Sequence, residues 1–170
     1  MKADDLLRTL AEGLTAYMTF QSRCGMREAY TEYLLYEPIL RIVKDKNWLA
    51  KTEFIAEVTE GWGDHKRIDF LLESQETEGD FIGIEVKWLP KRKRSLAVGN
   101  DIRKLENLEE TLDYQNLHSY LVIAGVHKGN AATPKPDRIP KLTGGNCRLF
   151  YQTVYDSRYT HYGVTVMRIP

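Results

Sequence analysis

The run Phe81-Ile82-Gly83-Ile84-Glu85-Val86-Lys87-Trp88 constrains this chain more than any other stretch. It reads as a buried strand, yet it carries a carboxylate and an ammonium two residues apart. Side chains alternate across a strand, so Glu85 and Lys87 point to one face. Charges inside an apolar strand are costly unless they are paired or bound to a metal. A second strand lies upstream, Arg67-Ile68-Asp69-Phe70-Leu71-Leu72, with one carboxylate among apolar residues. The segment between them is rich in Gly, Glu and Asp and predicts a hairpin that brings Asp69 beside Glu85 and Lys87. Two carboxylates and one lysine at a sheet surface suit a hard divalent cation and a water. The plain alternative is a Glu85–Lys87 salt bridge on an edge strand. The flanking Phe81, Ile82, Ile84, Val86 and Trp88 argue against a solvated strand of that kind.

The chain has 170 residues, which predicts one domain, 1–170, with a real core. Apolar content of 42% and charged content of 28% are ordinary for a soluble globular protein. No apolar run is long enough to cross a bilayer. The start, Met1-Lys2-Ala3-Asp4-Asp5, lacks the pattern of a signal peptide. Cys24 and Cys147 have no metal-ligand spacing, so a reduced, cytoplasmic setting is expected. The 24 basic and 24 acidic residues balance, which argues against a strong nonspecific nucleic-acid binder. The basic residues are unevenly spread, however. Lys91, Arg92, Lys93 and Arg94 follow Lys87 closely, either as a nucleic-acid-binding rim or as a solvated face.

Periodicity predicts a helix over 4–20, with Leu6, Leu7, Leu10, Leu14, Tyr17 and Met18 as its apolar stripe. A second helix is expected from about Arg27 to Lys46, with Pro38 as a kink or restart. Strands follow at Lys51 to Val58, 67–73 and 81–88, with a turn at 60–64. Pro90 closes the third strand and 91–99 reads as a basic loop. Asn100 is placed to cap a helix to about Asp113, with Ile102, Leu105, Leu108 and Leu112 on one face. Ser119 to Val126 is nearly all apolar and reads as a central strand covered on both faces. Residues 129–145 read as a long irregular loop, and 147–155 and 161–168 as closing strands. The helix between the third and fourth strands implies a crossover, right-handed if those strands are parallel.

Ile68-Asp69 followed by Glu85-Val86-Lys87 on consecutive strands, after an acidic helix, resembles the PD-(D/E)xK nuclease superfamily. The resemblance covers about 27–126. Ile68 stands where the motif has its proline. The resemblance implies a restriction-endonuclease-like α/β fold, a mixed β-sheet flanked by helices. It implies Asp69 and Glu85 as ligands of Mg²⁺, with Mn²⁺ as a substitute and the Val86 carbonyl as a third protein ligand. Lys87 would orient or deprotonate the attacking water and offset charge on phosphorus. The superfamily often adds a glutamate from the preceding helix. Helical phase favours Glu32, then Glu28, and a break at Pro38 would bring in Glu37. Lys104, on the downstream helix, would lie near the phosphate. Asp101 reads as a first-turn dipole partner or cap.

His65, His118, His127 and His161 are scattered without zinc spacing. Trp62, in the turn before Asp69, is a candidate to stack on a base. The expected function is that of a Mg²⁺-dependent nuclease hydrolysing phosphodiester bonds, with DNA favoured over RNA on family grounds alone. The rival is a noncatalytic nucleic-acid- or protein-binding module that keeps the fold. Its expected partners are nucleic acid and a second copy or another subunit, with no membrane.

Overall fold

Leucines at helical spacing, with Asp4 and Asp5 in the first turn, build the first element, α1 (Ala3–Arg23). Leu6, Leu7, Leu10, Leu14 and Met18 are fully buried along one stripe. Thr15 and Thr19 share that face, and their hydroxyls donate back to the carbonyls of Ala11 and Thr15. The computed structural model describes residues 2–25, 31–55, 67–89, 95–112, 114, 116–127, 141–143, 145–155 and 161–170. No helix among them is long and apolar enough to cross a membrane.

The expected second helix is divided, but between Leu35 and Tyr36 and not at Pro38. A 3₁₀ turn, Glu32–Leu35, precedes α2 (Tyr36–Asp45). Pro38 sits in the first turn of α2, where a missing N–H costs little because such groups have no partner one turn back. Asn47, at φ 58°, turns the chain directly into β1 (Trp48–Ile55). Asn tolerates that left-handed conformation better than most residues. The strand therefore starts three residues before its predicted Lys51, anchored by buried Trp48. Residues 56–58, and the turn expected at 60–64, lie outside the described residues.

Next come β2 (Arg67–Ser74), β3 (Asp80–Leu89), β4 (Ser95–Ala97) and α3 (Gly99–Thr111). They are followed by β5 (Asn116–His127), β6 (Lys141–Thr143), β7 (Arg148–Tyr155) and β8 (His161–Arg168). Six strands form one sheet in the order β1-β2-β3-β5-β8-β7. The β3–β5 pair is parallel and every other pair in that sheet is antiparallel. This is a single α/β domain, with a mixed six-stranded sheet packed against three helices.

The sheet has a core on each face. On one, α1 and α2 cover Phe70, Leu72, Ile82, Ile84, Val86, Tyr120, Val122, Val164 and Val166. On the other, Ile102, Leu105 and Leu108 of α3 cover Leu71, Leu121, Ile123 and Met167. Gly83 makes this second packing close: a Cβ there would stand 2.6 Å from Leu108 Cδ2.

Two expectations need correction. The segments 91–99 and 129–145 read as loops in the sequence, but β4 and β6 pair in parallel within them. Leu96 and Val98 explain the first, since both bury in the α3-side core. Asn100 is not the cap of α3. Val98 occupies that position, and Asn100 lies inside the first turn, accepting a hydrogen bond from Arg103 at 2.7 Å. The burial of Val98 starts the helix one residue before Asn100.

Gly125 pairs with Leu89 across the central strands, where an added Cβ would lie 2.3 Å from the Leu89 carbonyl oxygen. A backbone atom in a buried ladder cannot swing aside. Gly125→Ala should therefore lower unfolding free energy by about 1–3 kcal/mol in chemical denaturation. Unchanged stability would mean that β3 and β5 can separate locally at no cost.

Candidate functional site

The β2–β3 ladder runs from Glu73↔Phe81 to Phe70↔Ile84 and stops there. Both strands continue, β2 back to Arg67 and β3 on to Leu89. The sheet thus opens at Asp69 and Glu85, while β3 stays paired to β5 as far as Leu89↔Gly125. The freed amides of β3 find carboxylates in place of a strand. Asp69 Oδ2 accepts the Val86 N–H at 2.6 Å, and Glu32 Oε1 accepts the Trp88 N–H at 3.2 Å. A residue's N–H and C=O project from the same edge of a strand, so the Val86 carbonyl faces this opening as well. The other Asp69 oxygen, Oδ1, accepts a short hydrogen bond from the Tyr36 hydroxyl. Tyr36 is held by packing against Phe70 at 4.6 Å between ring centroids.

Glu85 and Lys87 project to the α3 face, and neither pairs with the other. Lys104 Nζ lies 3.0 Å from Glu85 Oε1. Lys87 Nζ lies 3.2 Å from Asp101 Oδ1 and 3.8 Å from Glu32 Oε1. Asp101 Oδ1 is also 3.8 Å from Lys104, which joins the two pairs. The alternative of a single Glu85–Lys87 bridge gives way to this crossed arrangement because α3 supplies a partner for each.

Burial sets the electrostatics. Glu85 is 1% exposed, and its carboxyl is pushed up to about 8, first by burial and then by the charge of Asp69. Lys104 pulls in the opposite direction and does not win. For Lys87, burial disfavours the ammonium, but Asp101 and Glu32 outweigh it and raise the pKa above the ordinary lysine value. Lys87 is therefore a persistent ammonium, suited to donating hydrogen bonds and not to removing a proton from water. Burial and the bond to Asp69 likewise raise the Tyr36 phenol, so it stays protonated and donates.

Glu32, Asp69, Glu85 and Asp101 set four carboxylates against the two ammonium groups of Lys87 and Lys104. With every group ionised the cluster is negative among the described residues. Among the described residues no group of three or more His, Cys, Asp or Glu is arranged to hold a metal. A hard cation does not require three acids. Mg²⁺ commonly uses one or two carboxylates and completes its shell with waters and substrate oxygens. Asp69, Glu85 and the Val86 carbonyl are an all-oxygen donor set in a cluster that is net negative among the described residues, and they fit such an ion.

Of the other expected residues, Glu32 and Lys104 lie in the cluster. Glu37 does not; it is exposed and pairs with Arg41 at 2.5 Å. Glu28, Trp62, His65 and Lys91, Arg92, Lys93 and Arg94 fall outside the described residues. His118 contacts Arg168 at 3.2 Å, and Cys24 and Cys147 are free. Two members of the site escape sequence reasoning. Asp101 reads as a dipole partner, yet its carboxylate turns to the two lysines. The signal available is its place in an apolar stripe three residues before Lys104. Tyr36 has one weak signal, its position four residues after Glu32. No family model matches the chain, and no curated protein shows significant similarity to it.

Proposed function

We propose that this protein is a Mg²⁺-dependent nuclease of the PD-(D/E)xK type, with a restriction-endonuclease-like core, hydrolysing phosphodiester bonds. DNA is favoured over RNA by family resemblance alone. The observation that carries the reading is the opening of the β2–β3 ladder at Asp69 and Glu85, with Lys87 on the same face further along β3. Asp69, Glu85 and the Val86 carbonyl would hold the cation. Bound there, it would lower the pKa of a water and draw charge from the phosphoryl oxygens.

The chain's own residues divide the remaining work. Tyr36 and the Val86 N–H orient Asp69 from both carboxylate oxygens. Lys87, held between Asp101 and Glu32, donates toward the incoming water and the charge that develops on phosphorus. Water oxygen forms the new bond to phosphorus, the bridging ester oxygen leaves with the electron pair, and protons pass to solvent. Sheet residues carry Asp69, Glu85 and Lys87, so their spacing is set by the strand backbone.

A second reading has its own support. Both Asp69 oxygens and Glu85 Oε1 already have donors within the chain, as expected of a structural polar network in a noncatalytic binding module. One experiment separates the two: Mg²⁺ titration by calorimetry, paired with cleavage of plasmid and single-stranded substrates. The nuclease reading expects Mg²⁺-dependent cleavage that is lost in Asp69→Ala and Glu85→Ala, with both variants folded. Nucleic-acid binding without cleavage in any divalent cation would favour the module.

A further inference from the structure

Lys104 holds a position that conflicts with the chemistry proposed for Glu85. Its ammonium lies 3.0 Å from Glu85 Oε1, inside a site where Glu85 is 1% exposed. A cation bound at Glu85 would share the carboxylate with that ammonium. At short range and low dielectric, two cations sharing one carboxylate repel each other. Lys104 has a second acid within reach, Asp101 at 3.8 Å, but Lys87 already occupies Asp101 at 3.2 Å. Among the described residues Lys104 therefore has no better anion than Glu85. A phosphate arriving at the site would be one, because it is a strong acceptor for ammonium donors.

We propose that Lys104 is the internal partner of Glu85, and that a phosphate group of a nucleic-acid backbone takes it over, which frees Glu85 for the divalent cation. The inference rests on the nuclease reading and adds a regulation to it. Nucleic acid and cation each favour binding of the other, and the coupling runs through one lysine. Coupling of this kind is reciprocal, so the cation tightens nucleic-acid binding by the same factor. Without nucleic acid Lys104 stays on Glu85 and the cation is held weakly.

The α3 geometry makes the exchange feasible. Lys104 follows Asp101 by one helical turn on a rigid helix, and its side chain is 20% exposed. Its four-carbon stem can redirect the ammonium without moving the backbone.

Calorimetric titration of Mg²⁺ tests this, with and without a phosphorothioate-substituted duplex oligonucleotide that resists cleavage. Wild type and Lys104→Met are compared at a pH above the Glu85 value, so that proton release does not mask the result. Lys104→Met keeps the apolar stem, and thermal melting verifies its fold. Lys104→Gln, which still donates a hydrogen bond, is the second variant in case Met disturbs packing. In wild type, Mg²⁺ affinity should rise at least tenfold when duplex is present. In Lys104→Met the free protein should bind Mg²⁺ at least tenfold more tightly than wild type, and duplex should add much less. A free variant that binds Mg²⁺ no better than wild type, or a coupling factor unchanged by either substitution, overturns the proposal. Absence of Mg²⁺ binding in wild type, with and without duplex, instead removes the nuclease reading itself, and this inference falls with it.

Discussion

Lys87→Met should reduce phosphodiester cleavage by about 10²–10³-fold without loss of Mg²⁺ affinity. The magnitude is that of removing one preorganised donor to developing negative charge. The separation of the two effects follows from chemistry. An ammonium cannot ligate a cation, so deleting it spares binding, but it can orient water and stabilise charge in the transition state. Lys87 is well suited to that task because Asp101 and Glu32 fix it from two sides at 3.2 and 3.8 Å and keep it charged. The same argument excludes Lys87 as the base, since its pKa is raised and not lowered. Activity that climbs with pH therefore reports another group. Single-turnover rates on a saturating substrate, beside calorimetric Mg²⁺ titration, make the measurement. A variant that cleaves at near wild-type rate would reduce Lys87 to an ion-pair partner of Asp101 and send the search for the donor to Lys104.

Elements whose pattern is local are legible in the sequence itself. The α1 stripe, the strands expected at 67–73 and 81–88, and the apolar central strand expected at 119–126 are all carried by the pattern of their own residues. The crossover through α3 into a parallel partner follows from a helix lying between two strands. The details that escape depend on distant residues. Asp101 cannot be told from a dipole partner within α3. Its second role needs Lys87, fourteen positions earlier, to arrive on the same face. Tyr36 reaches Asp69 only because α2 packs on the strand carrying Phe70. β4 and β6 are three residues each, too short for periodicity to register, and each exists through the other. Helical phase points to Glu32, although its segment is a 3₁₀ turn with a different period. Its carboxylate caps the Trp88 amide, a contact no helical wheel would give.

Glu85→Gln should stabilise the cation-free protein, increasingly so as pH rises. A carboxyl whose folded pKa is raised favours the protonated form in the native state. Below pH 4.5, the ordinary value, Glu85 is protonated folded and unfolded, and its ionisation contributes nothing. From 4.5 to about 8 the unfolded chain ionises while the native state resists, so wild type progressively loses stability. Above about 8 the penalty is complete. At about 1.4 kcal/mol per unit, it amounts to a few kcal/mol, on the order of the largest single effects in a domain of this size. Gln cannot ionise, and its carbonyl still accepts from Lys104, so the variant keeps the shape and escapes the penalty. Adding Mg²⁺ should reverse the ranking. A ligand that binds only the native state raises its stability in proportion to the logarithm of occupancy. Wild type should gain melting temperature with Mg²⁺ above pH 8, and Glu85→Gln should gain little. Melting curves of both proteins across this window, with and without Mg²⁺, decide the matter. A difference between them that stays constant with pH would mean that Glu85 titrates normally. The buried acid would then already be neutralised within the chain, leaving a divalent cation little to compensate.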